Sequence, residues 1–156
     1  MTAVFRIGFA PDSSLGGQAY GSTLAAGRWH ALRRGPTPRR VIYAAASRAL
    51  AQLEKRVHAH RQQPIDQALY RLTLPRGLKI SAAADVGLPP DWRHNEDASR
   101  AFGDAWLDAT RELALWVPSY VEPLENNLLI NPAHPRAAEL EISVERAPFV
   151  FDPRLV

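Results

Sequence analysis

The hydrophobic pattern of this chain predicts an α+β fold, a compact strand-rich core carrying two main helices. Three observations carry that expectation. Apolar residues alternate with polar ones in residues 4–9, 68–74 and 139–145, the period of a half-buried strand. Apolar residues recur at helical spacing in residues 47–62 and 96–112. Thirteen prolines and nine glycines divide 156 residues into short pieces, which is unlike a helical bundle. With 46% apolar and 22% charged residues, the chain can bury the core of a single domain over residues 1–156.

Taken in order, Phe5, Ile7 and Phe9 alternate with Val4, Arg6 and Gly8, so Arg6 is a strand residue on the face away from the phenylalanines. Residues 11–27 are small and polar and read as a long connection. The apolar run 41–46 is a buried strand, and Ser47 caps a helix over 47–62 that Pro64 closes. In that helix Leu50, Glu54 and Val57 fall at i, i+4 and i+7, so the carboxylate leans toward the packed side. Tyr70, Leu72 and Leu74 share one face of the next strand. Pro75-Arg76-Gly77 then turns the chain into a short strand at 78–81.

Trp92 anchors the irregular segment 88–92. A second helix over 96–112 turns Phe102, Trp106 and Ala109, with Leu113 beyond them, toward the core. Residues 113–117 form a buried strand ending at Pro118-Ser119, and 127–132 form another. In 139–145, Leu140, Ile142 and Val144 point inward and Glu139, Glu141, Ser143 and Glu145 outward.

Several chemistries are excluded by composition. Without cysteine there is neither a disulfide framework nor a thiolate zinc site. The five histidines show no metal-ligand spacing, so no metal is expected. Gly-x-Gly-x-x-Gly, the P-loop and Gly-x-Ser-x-Gly are all missing. Arg6 interrupts the apolar N-terminus, and no run reaches membrane-spanning length, so a cytoplasmic protein is expected. The net charge is +3 and Lys55 and Lys79 are the only lysines, so arginine supplies the basic character. Arg33, Arg34, Arg39 and Arg40 crowd into a loop broken by Gly35, Pro36 and Pro38. That loop reads as solvated, with contact to an acidic partner as the lesser reading and no direct binding of nucleic acid.

Residues 27–54 bring together a guanidinium (Arg28), an aromatic hydroxyl (Tyr43) and a half-buried carboxylate (Glu54), a set suited to a ligand with phosphates, a ring and a sugar. Alone, Glu54 would be read as a helix-surface residue pairing with His58 at i+4, and Ser119 as a strand-end turn residue.

In order and spacing, the chain resembles the RES family of bacterial toxin–antitoxin proteins, named for Arg, Glu and Ser. The matching pieces are Phe5-Arg6, Gly27-Arg28-Trp29, Tyr43-x-Ala45-x-Ser47, Leu50-Ala51-x-Leu53-Glu54, Leu88-Pro89-x-x-Trp92 and Gly103-x-x-Trp106. Val117-Pro118-Ser119, Glu125-x-Asn127-x-Leu129-x-Asn131-Pro132-x-His134-Pro135 and Phe151-Asp152-x-Arg154 complete them.

The resemblance implies a fold similar to ADP-ribosyltransferase toxins, with NAD as substrate. It also implies an Xre-type antitoxin as partner and assembly with antitoxin or as a homo-oligomer. It places functional residues on Arg6, Arg28, Tyr43, Glu54 and Ser119, and more loosely on Asn127. By that resemblance Glu54 stabilises the developing ribose cation, and Arg6 and Arg28 grip the diphosphate. Tyr43 meets the nicotinamide end, and Ser119 orients the ribose or amide. The implied activity is cleavage of the nicotinamide–ribose bond by water or phosphate. ADP-ribosylation of a protein, or NAD binding without chemistry, are the alternatives.

Overall fold

The computed structural model describes all 156 residues, Met1–Val156. Seven strands form one sheet: β1 (Ala3–Phe9), β2 (Ile42–Ala45), β3 (Gln67–Thr73), β4 (Ser81–Ala82), β5 (Ala114–Pro118), β6 (Asn126–Ile130) and β7 (Glu141–Arg146), in the order β4-β5-β6-β2-β1-β3-β7. All neighbours are antiparallel except β4 and β5. Three helices join them: α1 (Leu15–Tyr20), α2 (Arg48–His58) and α3 (Glu96–Ala109). This is the expected α+β architecture, and no helix is long and apolar enough to cross a membrane.

Strand alternation sorts the core into layers. Ile42 and Ala44 of β2 pack with Val4, Tyr70 and Leu72 against one face of the sheet, together with Ala19 of α1. On the other face Phe5 and Ile7 meet Leu50 and Ala51 of α2 and the C-terminal Phe149 and Phe151. Val117, Leu115 and Leu129 meet Leu107 of α3, along with Trp29 and Trp92, whose rings lie 5.2 Å apart. The two larger helices therefore cover different ends of one face.

Both helices start where capping chemistry places them. The Ser47 side chain accepts from Leu50 N and that of Asn95 from Ala98 N, each satisfying an otherwise orphaned donor. Some expectations are corrected. The connection 11–27 contains α1, capped by Ser14, because small residues gave no apolar periodicity to read. The predicted strand at 78–81 is only the two-residue β4. On α2 the helix ends at His58, and Val57 is exposed. Leu50 and Ala51 are the buried residues of the helix, and Ala51, Glu54, Lys55 and His58, spaced i, i+3, i+4, i+7, line one cavity.

On α3 the buried residues are Ser99, Gly103 and Leu107, while Phe102 and Trp106 flank them and Ala109 is exposed. Small Ser99 and Gly103 face inward because the 27–31 segment crosses the helix there. Strand β7 lies at the edge of the sheet, so Ile142 is only half-buried and Val144 is exposed.

The arginine loop is less solvated than expected. Arg39 bonds Asp108 at 2.8 Å and Asp104 at 3.2 Å, and Arg33 bonds Asp108 at 3.2 Å, which ties the loop to α3. Opposite charges 70 residues away in sequence were invisible to a local reading; Arg34 and Arg40 do face solvent.

Gly103 marks the closest approach. A Cβ there would lie 1.8 Å from the Trp29 carbonyl oxygen, so α3 and the 27–31 segment can meet only across a glycine. Gly103→Ala is expected to cost about 1–3 kcal/mol or more through overpacking. In a chain of this size that lowers Tm by roughly 3–10 °C. An unchanged calorimetric melting point would contradict this packing.

Candidate functional site

Strands β1 and β2 are bridged at one register position, Phe5 opposite Ala45. Beyond it they part, and the Arg6 guanidinium replaces the missing ladder bond, with Nη1 donating to Tyr43 O at 2.9 Å. The opening is a cavity of about 350 Å³, within the range typical of small-ligand sites. Its walls are Phe5, Arg6 and Ile7 of β1, Tyr43 to Ala45 of β2, the Ala51-to-His58 face of α2, and Asn127 of β6.

Glu54 stands in this cavity. Ser119 Oγ donates to its Oε1 at 2.8 Å and Asn127 Nδ2 donates to the same oxygen at 2.6 Å. Oε2 carries no intramolecular bond, so one oxygen is fixed and the other is available. His58 makes no bond to Glu54, and the local i,i+4 pairing is replaced by contacts 65 and 73 residues away in sequence.

Ser119 is fully buried, and its hydroxyl accepts from Val121 N at 3.1 Å and Glu122 N at 3.0 Å. Its one proton goes to Glu54, so it is placed to position the carboxylate from behind. Asn127 is brought there by its register opposite Ala45, and its Oδ1 is buried without a partner.

Arg6 is held on β1 opposite Tyr70. Burial pulls its guanidinium down to about 10, with Tyr43 and Tyr70 opposing, so it stays charged at neutral pH. Its Nε is buried without a partner.

The Tyr43 hydroxyl lies 2.6 Å from His30 Nδ1, while His30 Nε2 lies 2.9 Å from Ser22 O. A carbonyl can only accept, so in the neutral ring the proton sits on Nε2 and Nδ1 accepts from Tyr43. Burial, first, raises the Tyr43 hydroxyl above its ordinary range, against a backbone hydrogen bond from Trp29. A Cβ on Gly27 would lie 2.5 Å from that hydroxyl, so glycine is what lets the loop close over it.

Arg28 does not line the cavity. Its guanidinium lies 4.1 Å from the centre of the Tyr120 ring, which also carries Arg93 at 4.6 Å. The structure thus groups Arg6, Tyr43, Glu54, Ser119 and Asn127 around one opening, and sets Arg28 beside it, against the residue following Ser119.

Two residues of the site were missed. Lys55 lines the cavity next to Glu54, and its one sequence signal was being one of two lysines in an arginine-rich chain. His30 directly follows Gly27-Arg28-Trp29, and its bond to Tyr43 is set by tertiary contact rather than by any metal-ligand spacing. No cluster of His, Asp and Glu could hold a metal ion.

Tyr43→Phe leaves His30 Nδ1 short of a partner. It is expected to lower unfolding free energy by about 1–3 kcal/mol. Urea denaturation reads this as a lower midpoint at unchanged slope; a wild-type midpoint would show that the bond contributes nothing.

Comparison with known proteins gives the chain's family. The family model described as RES domain matches residues 3–152. A protein of Sphingobium sp. named Prs ADP-ribosylating toxin is 37% identical over 142 residues, covering 87% of this chain and 84% of that protein. A Pseudomonas putida protein named Toxin Res is 36% identical over 138 residues, covering 86% of this chain and 89% of that one. Among solved structures, the toxin–antitoxin complex of M. tuberculosis MbcT and MbcA matches with a TM-score of 0.67 and 18% identity. The match covers 98% of this chain and 85% of that chain, a likeness of fold. This chain belongs to the RES domain family.

Proposed function

We propose that this protein is the toxin of a bacterial toxin–antitoxin pair and consumes NAD by breaking the nicotinamide–ribose bond. The observation that carries the reading is Glu54, a carboxylate with one oxygen pinned by Ser119 and Asn127 and the other directed at no protein donor. In this reading the glycosidic C–N bond breaks with its electron pair passing to the nicotinamide nitrogen. An oxygen of water or phosphate then bonds to the anomeric carbon, and water releases its proton to solvent.

The transition state carries positive charge on the ribose, which a fixed carboxylate stabilises without reorganising. Glu54 Oε2 accepts from ribose hydroxyls. Arg6 and Asn127, which line the same cavity, supply a cationic donor and an amide of the kind such a ligand needs. Ser119 positions Glu54, and Arg28, on Tyr120 at the side of the cavity, contacts a more outward part of the ligand. We take the whole chain to act as one cytoplasmic unit. The naming of relatives as toxins, and the folding likeness to a toxin solved with its antitoxin, support a protein partner here, of Xre type in this reading.

A second reading, transfer of ADP-ribose to a protein side chain, is favoured by the name of the Sphingobium relative. It uses the same cavity and differs only in the acceptor.

The test is NAD concentration followed over time with purified protein, with and without inorganic phosphate. Glu54→Gln is expected to slow NAD loss by about 10²–10³-fold, the scale for removing one preorganised electrostatic stabiliser. Phosphate dependence names the acceptor, and a labelled protein band from labelled NAD supports the second reading. Glu54→Gln with wild-type turnover would sink both.

A further inference from the structure

The cavity has an imbalance of charge. Arg6 and Lys55 both line it, and neither forms an ion pair. Arg6 donates to the neutral Tyr43 carbonyl, and Lys55 Nζ donates to the neutral Gln67 Oε1 at 2.8 Å. Gln67 is itself oriented by β3, whose register sets it opposite Phe9. Glu54, the carboxylate of the same cavity, bonds Ser119 and Asn127 and neither cation.

Two like charges removed from water without a counter-ion are costly, and they depress each other's charge. Lys55 registers both effects: burial first, then the charge of Arg6, hold its ammonium below the ordinary lysine range. The Arg6 guanidinium lines the cavity beside Lys55, and Lys55 keeps two ammonium protons without a protein partner. A flat guanidinium and a compact ammonium are complementary ways of holding the oxygens of a phosphoryl group.

We propose that Lys55 and Arg6 form a phosphoryl-binding pair, with an anionic phosphate group as the counter-ion that the folded chain lacks. The inference rests on reading this cavity as the NAD site, where the group is the diphosphate of the dinucleotide. Free phosphate, arriving as the acceptor, is the other source of the same chemistry. The pair places the anion beside Glu54 on α2 and leaves Arg28 to a separate contact.

Calorimetric titration of pyrophosphate, ADP-ribose and inorganic phosphate into the full chain tests this. Lys55→Met, close in shape but neutral, is expected to weaken pyrophosphate binding about tenfold or more, the loss of one charge-assisted bond. Lys55→Arg is expected to restore most of it, and Lys79→Met, at an exposed site, to leave it unchanged. Gln67→Glu is expected to weaken it too, by giving Lys55 an internal counter-ion, and serves as the deciding variant if Lys55→Met melts early.

Loss of ADP-ribose affinity with unchanged half-saturating phosphate in NAD turnover assigns the dinucleotide diphosphate; the reverse assigns the acceptor. Folded Lys55→Met or Gln67→Glu that binds pyrophosphate and phosphate as wild type does would overturn the pair, even if NAD is consumed. Lys55-dependent anion binding in a protein that leaves NAD intact would retain the pair and overturn the NAD reading instead.

Discussion

The parting of β1 and β2 after one bridge is the constraint on which the site depends. A continuous ladder there would close the sheet and leave no cavity. Buried carbonyls still need donors, and Arg6 provides one by reaching across to Tyr43 O. A long side chain in place of a backbone bond keeps the strands tied yet apart, and it brings a desolvated cation to the wall of the opening. The tie between the strands and the charge on the cavity wall therefore share one residue.

The geometry around Tyr43 is set from farther away. Helix α3 holds the 27–31 segment by contact at Gly103, by Ser99 Oγ donating to Arg28 O, by Arg100 Nε donating to Gly27 O, and by Asp104 accepting from Ala31 N. That segment presents His30 to the Tyr43 hydroxyl. The order of support runs from α3 through the loop to β2 and then to Arg6. The arginine loop reinforces the same helix, with Arg33 and Arg39 on Asp104 and Asp108.

Across the cavity, Glu54 is held by residues of β6 and of the turn after β5. Neutral donors fix a carboxylate while leaving its charge to act on a ligand, whereas a bonded arginine would cancel much of that charge. Glu54 and the two nearby cations therefore stay separate charged points on the wall of one cavity.

Much of this was legible in local pattern. Alternation identified the strands around Arg6, Tyr70 and Ile142, and Ser47 marked the start of α2, because these signals depend on neighbours one to four residues apart. Resemblance of short, ordered motifs pointed to Arg6, Tyr43, Glu54, Ser119 and Asn127, which the structure gathers around one opening, and to Arg28, which it sets outside the cavity on Tyr120.

Other features could not be read this way. Helix α1 lacked apolar periodicity, and on α2 Leu50 and Glu54 face inward as expected but Val57 does not, because Val57 looks apolar whether or not a partner covers it. His30, Lys55 and the ion pairs of Arg39 acquire meaning only from residues 13, 12 and about 70 positions away. By itself the sequence determined the fold class, the element types and the family's charged residues, since periodicity and capping are local. Which charges meet a counter-ion and which are left facing the cavity was decided only by the tertiary structure, because pairing depends on register between strands and on how closely glycine lets two segments approach.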